Sequence, residues 1–503
     1  MGIPYYFYSL TKKYPDIIVK SIPSLINIYC IDFNGIIHPV ANKIIKENGN
    51  EDMILDMLWK KVTDYIDTIK PNKLMICVDG VAPVAKMAQQ RKRRYLSVYK
   101  NKIDSIESKW DTNAITPGTS FMTKLNNLMK SKIRYNSTKT IITYSGSDEV
   151  GEGEHKIFAN LYIENDDDTI IINGLDADLI ILSLLSHKKN IFLMRESEDS
   201  TYTYLNILEL RKALINELNT KWEQSVKDIF SKDADDIIES YCVACSILGN
   251  DFIPHILTLN LKSNGLEKLM NSCNIAIKNN GLLVKNSEIN HKCLSNIFVD
   301  LSKYEDKDIY HECEQYIRKN INNTTENVSD LYAIKNKDAL ATMIYSNISK
   351  WRQIYYKQIF NTNINNDSYI LNLACENYIK GIYWTYSYYK RKDLDHVWYY
   401  PYSYSPSIKD IANHSQANIA PVISANGTFV SSSIQLLIVL PKESKELLQP
   451  NNRKYMEDIK MGLLHLYPKS YKISTFLKTH LWECCPNLPV ININNIIKIV
   501  NNI

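Results

Sequence analysis

Up to about residue 260 the chain alternates short β-branched, apolar runs with longer stretches in which apolar residues recur at helical spacing. This is the pattern of a mostly parallel sheet covered by helices. Four runs read as buried strands: Ile26 to Ile31, Lys73 to Val78, Thr169 to Ile172 and Ile191 to Met194. The first two run directly into Asp32 and Asp79, and the third continues through Asn173 and Gly174 into LDADLIILSLL, a strand-to-helix turn carrying Asp176 and Asp178. These aspartates fall at the carboxyl ends of predicted strands, the edge on which open α/β sheets build their sites. From about 261 to 350 the sequence is rich in Asn, Lys and Ile with weak periodicity, which predicts a helical but variable connector. From about 351 it becomes aromatic, through WRQIYYKQIF and YIKGIYWTYSYYKRKDLDHVWYYPYSYSP, then continues in mixed short strands and helices. The expected divisions are 1–260, 261–350 and 351–503.

Composition narrows this picture only slightly. The 503 residues allow two to four domains at roughly 150 residues each. With 45% hydrophobic and 23% charged residues, the chain can build a core and is neither collagen-like nor disordered. The formal net charge, 59 − 55 = +4, is too small to mark a nucleic-acid binder, so such a role must rest on where charge is placed. No apolar run approaches the ~18 residues that span a bilayer. The first residues carry no secretion signal, and Tyr6 stands where a myristoylation signal requires Ser or Thr, so a soluble protein without a membrane partner is expected. Ten scattered cysteines predict reduced, packed thiols in an intracellular protein, Cys242 and Cys245 among them. His291, Cys293, His311 and Cys313 form a HxC…HxC pattern whose spacing fits no standard zinc module well.

Seven acids stand out by position: Asp32, Asp79, Glu152, Glu154, Asp176, Asp178 and Asp251. In GEGEHK, glycines at 151 and 153 let the backbone bend so that Glu152 and Glu154 converge. Asp176 and Asp178 straddle Ala177 at a helix start, where the helix N-terminus offsets part of their repulsion. Asp251 follows an apolar helix, Asp235 to Leu248, closed by Gly249. Singly, each is an ordinary cap or loop residue. Gathered, they would raise one another's pKa and cost stability unless a cation neutralised them, so the cluster predicts hard divalent ions, Mg²⁺ or Mn²⁺. Two such ions roughly 4 Å apart can activate a water and stabilise the leaving oxygen in phosphodiester cleavage. The DDD run at 166–168 reads instead as a solvated turn.

Between Gly80 and Ile103 lie seven basic residues and no acid. Lys86, Gln90, Arg93 and Arg94 occupy i, i+4, i+7 and i+8, one face of a helix. Two guanidinium forks, an ammonium and an amide on one face suit a terminal phosphate, although a solvated basic face or an import signal would show the same letters. His38 follows Asp32 closely, and Trp384, Trp398 and many tyrosines crowd the later segment. Aromatic rings hold single-stranded nucleic acid by stacking, but spacing alone does not choose among them.

MGIPYYFYSLTKKYP, IDFNGIIHP, VDGVAPVAKMAQQRKRRY, ITPGTSF, EGEHKI, GLDADLIIL and GNDFIPH, in that order, resemble the first conserved region of the XRN-type 5′→3′ exoribonucleases. YIKGIYWTYSYY, WYYPYSYSP and QLLIVLP resemble the second. The resemblance implies a PIN/FEN-like nuclease core in 1–260, the variable connector in 261–350, and a largely helical second conserved region in 351–503 that completes the pocket. It implies a processive enzyme that degrades single-stranded RNA from a 5′ monophosphate to mononucleotides with Mg²⁺. By position, the seven acids match the metal and catalytic residues, and Lys86, Gln90, Arg93 and Arg94 match the 5′-phosphate pocket. His38 matches the base-stacking residue, with Trp384 the best match for its partner and Trp398 a weaker one. The chain stops soon after the second region, so the accessory domains of the large cytoplasmic members are expected to be missing. A compact sequence with an Asn, Ile and Lys bias suggests a minimal, virus-encoded or protist copy, cytoplasmic and monomeric, with protein partners unspecified and a nuclear site left open. A 5′ flap or exonuclease acting on DNA and an inactive RNA-binding scaffold are the alternatives.

Overall fold

The structure, a computed structural model, describes residues 3, 5–106, 109–174, 176–186, 188–196, 201–218, 231–320, 328–329, 331–365, 368–417, 420–423, 425 and 427–501; Met1, Gly2 and Pro4 of the first motif lie outside them. Seven strands form one sheet: β1 Ile18–Val19, β2 Ile28–Asp32, β3 Lys73–Cys77, β4 Ile141–Ser145, β5 Thr169–Asn173, β6 Asn190–Glu196 and β7 Tyr202–Asn206. Their order is β1-β7-β6-β5-β2-β3-β4. The five strands β6, β5, β2, β3 and β4 run parallel, and β7 and β1 close one edge antiparallel.

The predicted mostly parallel sheet is therefore present. Its parallel strands are buried on both faces, which explains their near-continuous apolar runs. One face carries Cys30, Met75, Ile170 and Ile172 into a core with the helices Asp178–Leu185 and Lys232–Cys245. The other carries Tyr29, Ile31, Leu74, Ile76 and Ile171 against the helices Asn34–Lys46, Glu51–Ile69 and Ser120–Arg134. Three strands of the sheet were missed by patterning: β4 is an edge strand with Ile141 exposed, β1 has only two residues, and β7 lies between β1 and β6 with only Tyr204 and Leu205 buried.

The strand order reverses beside β2, because the chain steps outward to β3 and β4 and then returns to lay β5 on the other side of β2. Such a switch point opens a crevice at the carboxyl ends of the strands. Register aligns the crevice walls: Asp32 at the end of β2 pairs with Cys77, and Ile31 pairs with Asn173. The loops beyond β3 and β4 are tied together, since Gly80 N donates to Gly151 O at 2.9 Å and Gly151 N to Val81 O at 2.8 Å. The Lys156 ammonium bonds Val78 O and Gly146 O from beneath.

The later sequence packs into the same body. The helices Gly265–Asn280, His291–Ser302 and Tyr369–Tyr389 extend the first core. The QLLIVLP segment forms the helix Ser432–Val439, which packs on Val81, Val84 and Met87 at the start of the helix Val84–Ile103, and its buried Gln435 accepts from Ala82 N. Among the described residues no helix is long and apolar enough to cross a membrane. All ten cysteines are free thiols. The HxC…HxC residues are used elsewhere: both His291 nitrogens are bonded, to the Tyr383 hydroxyl and Ser415 O, Cys293 and Cys313 are core residues, and His311 is exposed beside Gln315. Asp166 and Asp167 of the DDD run lie in the turn before β5, paired with Lys188 and Lys189.

A methyl group on Gly80 would stand 1.6 Å from Glu149 O, and backbone cannot move aside cheaply. Gly80→Ala should cost roughly 3 kcal/mol or more, read as a lowered urea midpoint. An unchanged midpoint would contradict this docking of the two loops.

Candidate active site

The elements deliver the seven acids to one place. Asp32 ends β2, Asp79 lies just past β3, Glu152 and Glu154 open the helix Gly153–Leu161, and Asp176 and Asp178 begin the helix Asp178–Leu185. Asp251 follows the helix Lys232–Cys245 and its tighter extension Ser246–Leu248, after Gly249 turns the chain at φ 87°. Gly153 N donates to Asp79 Oδ1 at 2.7 Å, and a Cβ at Gly153 would stand 2.9 Å from Asp32 Oδ1. Only glycine leaves room for both aspartates there. Carboxylate oxygens of Glu154, Asp176 and Asp178 lie within 4.8 Å of one another, as do ligand atoms of Glu152, Glu154 and His155. Lys86 Nζ ties Asp251 to this group, lying 2.5 Å from Glu152 Oε2 and 2.7 Å from Asp251 Oδ2.

The electrostatics are those of charge confined without water. Desolvation first, then Asp79 and Asp176, push the Asp32 carboxyl up to about 8 against the pull of Lys86. Burial and like-charge neighbours hold Glu154 and Asp178 well above the ordinary carboxylate range. Burial, the largest single influence, pushes Asp251 the same way, but the charge and hydrogen bond of Lys86 together with Arg93 and further positive charge bring the group down to about 2. Burial would discharge Lys86 itself, yet Asp251, Glu152, Glu154 and Asp178 hold its proton. Glu154 Oε2 and Asp178 Oδ2 are buried with no hydrogen-bond partner. Unpaired, converging, oxygen-only donors fit a hard divalent cation, and the acids present are suited to hold one.

Several contributors were not singled out in the sequence. Tyr388 donates to Glu152 Oε1 at 2.7 Å and Tyr389 to Asp178 Oδ1 at 3.0 Å, both from the helix Tyr369–Tyr389. Tyrosine crowding was visible, but not which hydroxyls face the acids. His155 lies 3.9 Å from the Tyr388 ring, and burial, followed by Lys86 and Arg391, lowers its pKa to about 3, so the ring is neutral. Asn34 accepts from Asp79 N at 3.0 Å and fixes that loop.

Trp384, expected to stack on a base, requires correction. It is fully buried, its Nε1 donates to Asp395 O, and it packs on Tyr388, Phe252 and Trp398. With no open face it supports Tyr388 and the Asp251 loop from behind. Trp398 is buried too. Apolar helix periodicity cannot distinguish a ring that faces a ligand from one that backs the residue doing so.

Lys86, Gln90, Arg93 and Arg94 lie on the helix Val84–Ile103, and their uses diverge. Lys86 reaches into the acids. Arg93 is exposed. Arg94 Nη2 donates to Thr116 of the ITPGTSF motif at 2.8 Å, leaving Nη1 buried and unpartnered. His38 keeps an accessible ring at the crowded mouth of the crevice. Desolvation there, then Arg93, lowers its pKa to about 4.

Because the folded state holds the Asp32 proton to about 8 against an ordinary 3.8, the metal-free protein should lose stability as pH rises between those values. Asp32→Asn should raise the thermal midpoint of chelator-treated protein at pH 8, at roughly 1 °C per kcal/mol for a chain of this size, and change it little at pH 4. It should also shrink the rise that Mg²⁺ gives the natural sequence at pH 8. A lower midpoint for the variant at pH 8 would contradict the repulsion described.

Residues 1–197 match the family model of the XRN 5′-3′ exonuclease N-terminus, and residues 231–350 and 335–503 match that of the Xrn1 helical domain. Human 5′-3′ exoribonuclease 1 is 28% identical over 98% of this chain, which spans 33% of the human protein. For 5′-3′ exoribonuclease 1 of Saccharomyces cerevisiae the values are 25%, 96% and 42%, and for 5′-3′ exoribonuclease 2 of Gallus gallus 23%, 98% and 69%. Against the first of these relatives the chain thus covers about a third of the length. A solved structure of the catalytic core of Rad2 with a DNA substrate, 12% identical, aligns over 86% of this chain and 99% of that one with a TM-score of 0.36, too loose a likeness to build on. The two family models together cover most of the sequence, and the chain belongs to the XRN 5′→3′ exonuclease family.

Proposed function

We propose that this chain is a 5′→3′ exoribonuclease that hydrolyses single-stranded RNA from a 5′ monophosphate, processively releasing nucleoside 5′-monophosphates. Decapped mRNA and cleavage fragments in the cytoplasm are its substrates, and it acts as a monomer. The observation that carries this reading is the convergence of Asp32, Asp79, Glu152, Glu154, Asp176, Asp178 and Asp251, two with unpaired buried oxygens, beside a helix whose Arg94 keeps an unpartnered Nη1. Mg²⁺ held by these acids, with Mn²⁺ as a substitute, would supply Lewis-acid activation of water and neutralise charge on the phosphodiester.

The chain's own residues do the rest. Tyr388 and Tyr389 orient Glu152 and Asp178. Gln90, Arg93 and Arg94 hold the terminal phosphate, and Lys86 stands between that phosphate and the acids. Neutral His38 stacks on the first base. A pocket sized for a monophosphate disfavours a cap or a triphosphate, giving end selectivity without base reading.

The test incubates matched RNAs bearing a 5′ monophosphate, hydroxyl, triphosphate or cap, and a 5′-monophosphate DNA, with the chain and Mg²⁺. The monophosphate RNA should decay fastest, to mononucleotides. Equal decay of all four RNAs, or preference for the DNA, would overturn the reading. Asp178→Ala should reduce turnover to background while RNA binding persists. Arg94→Ala should lower kcat/KM on monophosphate RNA about 10- to 100-fold, the loss of one charge-assisted bond, and leave the 5′-hydroxyl RNA nearly unchanged.

A further inference from the structure

A cavity of about 260 Å³ flanks the basic helix, lined by Gln89, Lys92 and Arg93 of that helix, by Asn250 and Asp251, and by Lys478 and Trp482 of the C-terminal segment. It adjoins the proposed site, because Asp251 belongs to the acid cluster and Arg93 to the phosphate-binding face. Its charge is unbalanced. Asp251 is paired with Lys86, and Glu483 with Lys262 at 3.1 Å. Among the described residues no carboxylate lies within ion-pair distance of Lys92, Arg93 or Lys478. Burial lowers the Lys92 pKa against an upward pull from Cys485, and the charge on Lys478 adds a smaller push in the same direction as burial. Two lysines that repel each other in a desolvated wall are a site in want of an anion.

The remaining lining narrows the anion. Asn250 Oδ1 accepts from Phe252 N at 2.8 Å and Ile253 N at 3.0 Å, which turns its Nδ2 away, buried and unpartnered. Gln89 Oε1 is a buried, unpartnered acceptor. One unpaired donor and one unpaired acceptor suit a hydroxyl, which can accept from one and donate to the other. At the mouth, Trp482 is 48% exposed, stacked on His480 at 6.0 Å and tilted against Tyr5 at 6.2 Å, so its exposed part is the ring surface open to a planar base.

We propose that this cavity binds a nucleoside 5′-monophosphate, with Lys92, Arg93 and Lys478 on the phosphate, Gln89 and Asn250 on a ribose hydroxyl and Trp482 against the base. As the holding place of the released product it rests on the exoribonuclease reading. It would retain each leaving mononucleotide beside Asp251 and slow the enzyme as product accumulates.

The test is calorimetric titration of the full chain, with Mg²⁺, against AMP, adenosine and inorganic phosphate. AMP should bind saturably and more tightly than the other two. Lys478→Gln should weaken AMP about tenfold, Trp482→Ala, a change at a half-exposed ring, should weaken AMP but not phosphate, and Arg94→Ala, which impairs the 5′-phosphate pocket, should leave the Lys478-dependent AMP binding within about twofold. If Lys478→Gln melts more than a few degrees early, Trp482→Ala alone decides. No saturable AMP binding, or binding lost in Arg94→Ala and kept in Lys478→Gln, would overturn the proposal, as would phosphate binding as tightly as AMP with no effect of Trp482→Ala. Failure to degrade RNA, with Lys478→Gln still weakening AMP, would remove the exoribonuclease reading and leave the cavity. RNA decay with AMP indifferent to Lys478→Gln would remove only the cavity.

Discussion

The ammonium of Lys86, set between Glu152 and Asp251, is the contact on which the site's architecture turns. Seven acids gathered at one crevice repel, and water is largely excluded from them. A buried positive charge is what lets the fold hold them together in the absence of a metal ion. Its reach is uneven: it helps to bring Asp251 down to about 2, whereas burial, Asp79 and Asp176 hold Asp32 at about 8 against its pull. Environment thus divides chemically similar carboxylates into ionised and proton-holding groups before any ligand arrives. Removing one partner of such a pair leaves an uncompensated charge, so the arrangement is fixed in composition as well as in place.

The sheet supplies the position and the later sequence supplies the enclosure. The reversal of strand order beside β2 opens the crevice, and the register of β2 with β3 and β5 brings Asp32, Asp79 and the Asp176–Asp178 turn to its rim. The helix Tyr369–Tyr389 then closes over it, with Tyr388 and Tyr389 bonded to Glu152 and Asp178 and Trp384 packed behind. Gln435 anchors the loop that leads into the basic helix. The C-terminal half therefore contributes to the site itself through hydroxyls that orient acids.

The parts legible in the sequence were those governed by local pattern. Continuous apolar runs marked the buried strands because parallel strands are covered on both faces, and aspartates directly after them marked the crevice. Glycine at 153 was readable as a bend, although its role in sparing Asp32 and Asp79 a methyl group needed coordinates. The failures concern direction. Trp384 lies in a motif of the second region, but burial on every side is a tertiary property. Lys86 shares a helical face with Gln90, Arg93 and Arg94, yet its long side chain turns toward the acids because their summed field outweighs the cost of burying it. The edge strand β4, with its exposed Ile141, lacks the signal its neighbours carry.

The central claim is that these acids form a centre for divalent cations, with Lys86 balancing them in the metal-free state. The most direct measurement is anomalous diffraction from crystals of the full chain soaked in Mn²⁺. The account predicts a manganese peak within bonding distance of Glu154, Asp176 and Asp178, which should vanish in Asp178→Asn. Saturating Mn²⁺ with no peak among these carboxylates would contradict it.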